Sequence, residues 1–225
     1  MADIEKLKTL FEELPDGVKL IAVSKTKPAE EIMELYNAGH RIFGESKAQE
    51  LIAKQEVLPK DIEWHMVGHL QTNKVKYLVP FVTLIHSVDS LKLLKEINKQ
   101  GRKHDRVIPC LLQMHIAEES SKFGLDYEET CDLLESDVYR EMQHVEILGL
   151  MGMATFTSDN EKIRKEFRQL RQHFSNLRKK YFSGKENFSE ISMGMSSDYQ
   201  LAIEEGSTMV RIGSSIFGER QTSET

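Results

Sequence analysis

The feature that most constrains this chain is the repeated alternation of short apolar runs with amphipathic helical patterns. Eight runs have the length and composition of strands: LIAVSK (20–25), RIFGES (41–46), EWHMVGH (63–69), TLIHSV (83–88), IPCLLQMHI (108–116), VEILGLMGM (145–153), SEISMGMS (189–196) and MVRIGSSIF (209–217). Nearly continuous apolar runs are typical of parallel strands that are covered on both faces. Eight strand–helix units predict a closed (β/α)8 barrel of the TIM type, because open doubly wound sheets usually contain fewer strands.

Helical patterns fill the intervals between the runs and also precede the first run. The acidic amphipathic segment at 1–14 predicts an extra N-terminal helix, and it lacks the basic start and apolar centre of a signal peptide. The longest pattern, 161–182, places apolar residues at steps of three and four and therefore predicts one buried face. Its opposite face is rich in Lys and Arg, which favours a solvated surface over a docking site for RNA or an acidic partner.

Composition limits the classes of protein to which the chain can belong. A length of 225 residues, with 40% hydrophobic and 29% charged residues, predicts a single folded domain over 1–225. A net charge of −6 argues against a dedicated nucleic-acid binder, and no apolar run is long enough to span a membrane. Cys110 and Cys131 are expected to be reduced thiols in a cytoplasmic protein. His65 and His69 lack further ligands for zinc, which favours a packed histidine and a loop histidine.

Polar side chains recur where the apolar runs end, and in a parallel barrel that face carries the binding and catalytic residues. Lys25 ends the first run, and Glu45 and Ser46 end the second. A partly desolvated lysine at this position is expected to have a lowered pKa and a free amine that can bind carbonyl compounds covalently. The alternative interpretation is a structural lysine paired with a carboxylate such as Glu45. The position of Lys25 alone does not decide between the two.

The last two runs have the features of a phosphate site. The stretch SMGMSSD (192–198) ends the seventh run, and RIGSS (211–215) lies within the eighth. Barrels of this type often bind phosphate after strands seven and eight, where glycines let the backbone approach and serines add donors. Each stretch alone also fits an ordinary strand-to-helix turn. Together with Lys25 they predict a ligand that has both an aldehyde and a phosphate, which is either pyridoxal 5′-phosphate or a sugar phosphate bound by a lysine-dependent aldolase.

Six stretches spread over almost the whole chain resemble the family of pyridoxal-phosphate homeostasis proteins. They are AVSKTKP (22–28), FGES..QE (43–50), WHMVGHLQTNK (64–74), HSVDS (86–90), KFGL (122–125) and SMGMSSDYQLAIEEGSTMVRIGSSIFGER (192–220). The resemblance implies a barrel similar to the N-terminal domain of alanine racemase. It also implies that this chain buffers and delivers pyridoxal 5′-phosphate in vitamin B6 homeostasis. It implies that Lys25 carries the cofactor as an internal aldimine and that Arg211 lies near the pyridine nitrogen. It also implies that Ser196, Gly213 and Ser214 hold the phosphate.

Two motifs depart from the family pattern. The second-strand motif usually reads FGEN followed by an aromatic residue, whereas this chain has Ser46 and Lys47. Ser46 is therefore expected to replace only part of the asparagine's contact near the cofactor ring. The motif at 122–124 usually reads KSG, and Phe123 replaces its serine. Neither change affects Lys25 or the residues that are expected to hold phosphate.

Three functions fit these residues: a cofactor carrier, a pyridoxal-phosphate-dependent amino-acid racemase and a lysine aldolase. A racemase needs a base on each face of the substrate α-carbon, but the nearest tyrosine, Tyr199, is expected to begin a helix. An aldolase needs an acid–base cluster beside the lysine, and Lys27 and Glu45 are weak candidates for it. The carrier is the favoured hypothesis and the racemase is its alternative. We expect a monomer that binds no nucleic acid or membrane and that hands the cofactor to apo-enzymes.

Overall fold

The computed structural model describes residues 2–118 and 124–218. Within these ranges, parallel strands close into one barrel in chain order, and the last strand pairs with the first. The strands are β1 (Lys19–Val23), β2 (Ile42–Glu45), β3 (Glu63–Met66), β4 (Leu84–Val88), β5 (Ile108–Gln113), β6 (Val145–Met151), β7 (Glu190–Met195) and β8 (Met209–Ile212). The predicted (β/α)8 barrel of the TIM type is confirmed.

Helices precede β1 and follow the strands. They are α1 (Ile4–Glu13), α2 (Ala29–Asn37), α3 (Ala48–Val57), α4 (Val75–Leu78), α5 (Leu91–Lys103), α6 (Tyr127–Glu135), α7 (Asp137–Arg140), α8 (Asn160–Tyr181), α9 (Tyr199–Glu204) and α10 (Ser214–Phe217). The predicted N-terminal helix is α1, and its N-cap Asp3 accepts a hydrogen bond from the Lys6 amide. No helix in the two described ranges is both long and apolar enough to cross a bilayer.

Several strands are shorter at their carboxyl ends than the apolar runs that predict them. β1 ends at Val23, so Lys25 lies two residues beyond the strand. The eighth run, 209–217, is not one strand, because β8 ends at Ile212 and residues 214–217 form α10. The amide groups of Ile216 and Phe217 donate to the Gly213 carbonyl at 3.0 and 2.9 Å. These local bonds replace pairing with a neighbouring strand, and the prediction of a strand over 213–217 is wrong.

Two apolar clusters fill the layers of the barrel. The larger one joins the strands to the surrounding helices and includes Phe43 and Trp64, which are both buried. The smaller one is drawn from the strands and the residues that follow them, and its buried members are Ile21, Val67, Leu84, Leu111, Met151 and Met209. The predicted apolar face of α8 is confirmed, since Phe167, Leu170 and Leu177 are buried in the larger cluster.

Acidic neighbours pair with much of the basic face of α8. Arg164 and Arg168 reach Glu205 at 3.2 and 3.0 Å, and Arg164 also pairs with Glu204. Lys165 pairs with Glu118 at 3.1 Å. Ion pairs at a protein surface contribute little stability, but these pairs offset the positive charge of the helix locally. This arrangement supports the interpretation of the face as a solvated surface.

Candidate functional site

A cavity of about 480 Å³ lies at the carboxyl ends of the strands. The positions predicted to bind a cofactor all line this cavity, and they are Lys25, Ser46, Ser196, Arg211, Gly213 and Ser214. A cavity of this size is in the usual range for small-molecule sites. The fold therefore brings together residues from both ends of the chain.

The lining of this cavity is mostly apolar and carries positive charge. Its apolar members include Val23, Val67, Met153, Phe156, Met195 and Phe217. The ionisable side chains among the described lining residues are Lys25, Lys27 and Arg211, and no carboxylate accompanies them. Such a lining favours a ligand that has an apolar ring and an anionic group.

Lys25 lies in a tight turn between β1 and α2. The carbonyl of Ser24 accepts the Lys27 amide at 3.0 Å, and Thr26 has a φ of 65°, as the third position of a type II turn requires. Glu50 of α3 accepts the Thr26 amide at 2.7 Å and holds this strained residue in place. Strain of this kind persists where the surrounding structure imposes it, and it clusters at functional sites. Lys25 is half-buried in this turn and lines the cavity.

The buried carboxylate of Glu45 is neutralised by Lys54 of α3. Lys54 Nζ lies 2.6 Å from Glu45 Oε1, and the Ser24 hydroxyl donates to the same oxygen at 2.6 Å. Lys54 also donates to the Ser24 carbonyl at 2.8 Å. Burial raises the pKa of Glu45, while the charge of Lys54 opposes that shift. Because Lys54 fills this role, the interpretation of Lys25 as the cation for Glu45 loses its main support.

Ser196 and Gly213 connect the turns that follow β7 and β8. The Gly213 amide donates to Ser196 Oγ at 3.2 Å, which leaves the Ser196 hydroxyl hydrogen to donate elsewhere. A Cβ at Gly213 would lie 3.0 Å from the Val23 carbonyl oxygen, so a side chain there would press on the β1 backbone. Ser214 is exposed at the first position of α10 and adds a second hydroxyl. This donor set and the glycine that permits the close approach fit a phosphate group.

Gly194 shapes the turn after β7 through packing. Its φ is 92°, and a Cβ there would lie 2.6 Å from the Ala202 Cβ of α9. The buried Asp198 accepts the Met195 amide at 2.6 Å and closes the turn. The position of Ser196 therefore depends on the contact between this turn and α9.

The Arg211 guanidinium is almost fully buried. It donates through Nη1 to Ser192 Oγ at 2.5 Å and through Nη2 to the Gly152 carbonyl at 2.9 Å. Burial lowers the pKa of Arg211 to about 10, and the charge of Asp198 opposes that shift. Arg211 is therefore still a cation at neutral pH. Sequence reasoning missed Ser192, because nothing local marks it as a partner of a residue on the next strand.

The two histidines considered as metal ligands lie in different surroundings. His65 is buried, and its Nδ1 lies 3.0 Å from Nε2 of His86. His69 is exposed in the following loop, 3.2 Å from Asp89. Nowhere in residues 2–118 and 124–218 do three or more His, Cys, Asp or Glu side chains gather as a metal site would require. The predicted packed histidine and loop histidine are confirmed.

The loop between β6 and α8 forms an apolar part of the cavity rim. It contains Met153 and Phe156, and Phe156 is 88% exposed. The buried carboxylate of Glu166 accepts both the amide and the hydroxyl of Thr155 at 2.7 Å, and it accepts the Glu118 amide at 3.2 Å. One carboxylate of α8 thus fixes two loops at the mouth of the barrel. Sequence reasoning missed Glu166, which looks like any other charged residue of that helix.

Three further expectations concern residues near the cavity. Tyr199 begins α9 as expected, and its hydroxyl donates to Glu13 of α1 at 3.0 Å. Ser46 lines the cavity and also an adjoining polar pocket of about 280 Å³, which Lys47 and Lys74 share. Phe123 lies outside the described residues.

Comparison with known proteins finds relatives that match almost the whole of this chain. The family model described as "Alanine racemase, N-terminal domain" matches residues 2–221. The pyridoxal phosphate homeostasis protein of Aquifex aeolicus (strain VF5) is 42% identical over 222 residues, which cover 97% of this chain and 95% of that protein. The human protein of the same name is 39% identical over 215 residues, which cover 91% of this chain and 78% of that protein.

Solved structures show the same fold. PipY of Synechococcus elongatus PCC7942, with PLP bound, matches with a TM-score of 0.86 at 37% identity, and the match covers 96% of this chain and 99% of that one. An alanine racemase of Clostridium difficile 630 matches with a TM-score of 0.70 at 14% identity, over 97% of this chain and 56% of the racemase. The second likeness concerns the fold alone.

Proposed function

Because this chain belongs to the pyridoxal phosphate homeostasis protein family, we propose that it binds pyridoxal 5′-phosphate through Lys25 and buffers or delivers it, with little or no catalysis. One observation carries the proposal. All six positions predicted to bind the cofactor line one cavity, and the ionisable side chains described there are all basic. An aldehyde with a phosphate group matches this combination of an amine, hydroxyl donors and positive charge.

Each part of the lining has its own role in the proposal. The Lys25 amine binds the aldehyde covalently, and Arg211 faces the ring nitrogen. Ser196 and Ser214 supply hydroxyl donors to the phosphate, and Gly213, which has no side chain, lets the phosphate approach the backbone and helps to hold it. When bound, the cofactor supplies an electrophilic carbon and an electron-withdrawing ring.

Covalent attachment to Lys25 is tested by borohydride reduction of the loaded protein followed by peptide mass mapping. The reduced adduct should map to Lys25, and Lys25→Ala should abolish it. Lys27→Ala is the matched control, because Lys27 lines the same cavity and donates to the Phe217 carbonyl. An adduct on Lys27 or Lys74 in the wild-type protein would refute the assignment.

The phosphate role of Ser196 and Ser214 is tested by comparing two ligands. The double variant Ser196→Ala/Ser214→Ala should lower the affinity for pyridoxal 5′-phosphate much more than the affinity for unphosphorylated pyridoxal. The reason is that each charge-assisted hydrogen bond to the phosphate contributes about 1.5–3 kcal/mol. Ser197→Ala is the control, since Ser197 is an exposed neighbour in the same lining. Equal losses for both ligands in the double variant would place the phosphate elsewhere.

Two features of the cavity support carrying rather than catalysis. The Arg211 cation disfavours a second positive charge beside it, so we infer that the ring nitrogen stays unprotonated and the ring is a weaker electron sink. A racemase also needs a second base opposite the lysine. The described lining offers Lys27 and Arg211 as its other ionisable side chains, and the Tyr199 hydroxyl is bound to Glu13.

Racemase activity, the alternative function, has a direct assay. The loaded protein is incubated with single L-amino acids in deuterated water, and exchange of the α-proton is followed by NMR. We expect exchange no faster than with free pyridoxal 5′-phosphate. Exchange at enzyme-like rates that disappears in Lys25→Ala would overturn the carrier proposal in favour of a racemase.

We further propose a monomeric carrier that works in the cytoplasm and hands its cofactor to apo-enzymes. Cys110 and Cys131 are unpaired, as is usual for proteins of reducing compartments. Light scattering should give a mass near 25.9 kDa. Recovery of activity by an apo-enzyme that is mixed with the loaded protein measures transfer, and Lys25→Ala should supply less cofactor than the wild-type protein.

A further inference from the structure

A chain of hydrogen bonds crosses the barrel interior from Arg211. Arg211 of β8 donates to Ser192 of β7 at 2.5 Å, and Ser192 Oγ lies 2.9 Å from Nδ1 of His86 on β4. Nε2 of His86 lies 3.0 Å from Nδ1 of His65 on β3. All four residues are at most 4% exposed. Side chains from four strands therefore form one buried polar network that begins at the cavity.

The direction of these bonds follows from the donors that each group has. A guanidinium can only donate, so Ser192 Oγ accepts from Arg211. The Ser192 hydrogen is buried, and Nδ1 of His86, 2.9 Å away, is the acceptor that satisfies it. A neutral His86 then carries its proton on Nε2 and donates to Nδ1 of His65. The network runs one way, from the cation into the barrel.

Burial keeps both imidazoles neutral. It lowers the pKa of His65 to about 3, and the Lys19 charge adds to that effect. It also lowers the pKa of His86 well below 6.5, with further contributions from His65 and Arg211. Arg211 is thus the one charged member of the network at neutral pH. A hydroxyl that donates onward is a stronger acceptor than an isolated one.

We propose that Ser192 and His86 are positioning residues that hold the Arg211 guanidinium toward the ring nitrogen of the bound cofactor. This inference rests on the proposed function. Ser192 and the Gly152 carbonyl each bind one end of the guanidinium, so together they fix its plane. His86 acts one step away, by taking the Ser192 hydrogen and so turning the oxygen lone pairs toward Arg211.

The test compares the affinities of two ligands that differ only at the ring nitrogen. They are pyridoxal 5′-phosphate and its 1-deaza analogue, in which carbon replaces that nitrogen. The wild-type protein should bind pyridoxal 5′-phosphate more tightly by on the order of tenfold, because only the nitrogen accepts a hydrogen bond from Arg211. This ratio of affinities reports the placement of Arg211. A loss of packing alone would lower the affinity for both ligands equally and leave the ratio unchanged.

Four variants distinguish a positioning role of Ser192 and His86 from a role in stability alone. Ser192→Ala and His86→Leu should lower the ratio at least about threefold. His86→Asn should preserve it, because the amide oxygen can still accept the Ser192 hydrogen. Ser87→Ala is the matched control: Ser87 is a buried neighbour of His86 on β4, and its hydroxyl has no hydrogen-bond partner within the described residues. Thermal midpoints are measured for every variant, and if Ser192→Ala does not fold, the two His86 variants decide.

The outcomes distinguish the inference from the function on which it rests. An unchanged ratio in Ser192→Ala and His86→Leu, with normal covalent binding at Lys25, would refute the positioning role alone. A wild-type ratio near one would show that Arg211 does not contact the ring nitrogen, and would also overturn the inference. A wild-type protein that binds neither ligand would overturn both.

Discussion

Three buried histidines should make this protein sensitive to mild acid. His40 and His65 have pKa values lowered by burial to about 4 and about 3, and the pKa of His86 is also well below 6.5. His40 and His65 therefore stay neutral in the folded chain at pH 5 but are protonated in the unfolded chain. Because the unfolded state binds more protons, the free energy of unfolding falls as the pH drops below about 6.5. The fall continues until the pH reaches the folded-state pKa.

The size of this effect follows from the pKa difference. Each such imidazole loses about 2 kcal/mol of stabilisation between pH 7 and pH 5, since one pH unit corresponds to about 1.4 kcal/mol. His40 and His65 together lower the free energy of unfolding by about 4 kcal/mol, against a typical total of about 5–15 kcal/mol, and His86 acts in the same direction. Glu45 and Asp198 act in the opposite direction, because burial raises their pKa. A comparison between variants removes their contribution.

Urea unfolding at pH 7 and pH 5 measures the loss, and His40→Gln isolates one histidine. His40 is buried, and its Nε2 donates to the Ile42 carbonyl at 2.7 Å, which a glutamine amide can also do. The variant should lose about 2 kcal/mol less than the wild-type protein between the two pH values. His104→Gln is the control, because that imidazole is exposed to water.

Equal losses of unfolding free energy in His40→Gln and the wild-type protein between pH 7 and pH 5 would refute this prediction. A reduction of the loss by His104→Gln as large as that by His40→Gln would refute it as well. Either result would mean that burial does not hold His40 neutral.

The other predictions concern the elements that shape the cavity. Lys54→Met should lower the free energy of unfolding by about 3–5 kcal/mol at pH 7, measured in urea, because it leaves the buried Glu45 carboxylate without its cation. The loss should shrink as Glu45 becomes protonated at lower pH, and an equal loss at pH 5 would contradict this account. Gly194→Ala should lower the free energy of unfolding by at least about 2 kcal/mol, because the new Cβ would collide with Ala202 and the residue would keep a positive φ. A thermal midpoint equal to that of the wild-type protein would refute the packing role. Glu166→Gln should speed amide exchange in the loop between β6 and α8, because a neutral amide binds the backbone less strongly than a carboxylate; exchange rates equal to those of the wild-type protein would show that the loop does not depend on this charge.

Local patterns in the sequence are sufficient to predict the barrel and the side of it on which the cavity lies. Alternating apolar runs and helical periodicity depend on neighbouring residues only, so eight strand–helix units can be read directly from the chain. The placement of Lys25, Ser196 and Gly213 after strands follows from the same pattern, because the carboxyl ends of parallel strands share one face. Resemblance to a family added the roles of Arg211 and Ser214.

The ends of the elements are less predictable, for a physical reason. Residues 213–217 are apolar and small enough to extend β8, yet the amides of Ile216 and Phe217 bond to Gly213 and close a helical turn. Residues 126–143 have one helical pattern, but Ser136 ends α6 and caps α7. At such positions, hydrogen bonds that are available only in the folded chain outweigh local propensity.

The sequence by itself determined the order of strands and helices and the face on which the predicted site residues lie. The tertiary structure alone decided which polar groups pair inside the barrel: Lys54 with Glu45, and Arg211 with Ser192 and then His86. These partners lie on different strands or on a helix, and no spacing along the chain relates them. Their contacts depend on strand register and barrel closure, which bring side chains from separate strands to hydrogen-bond distance in an interior that excludes water.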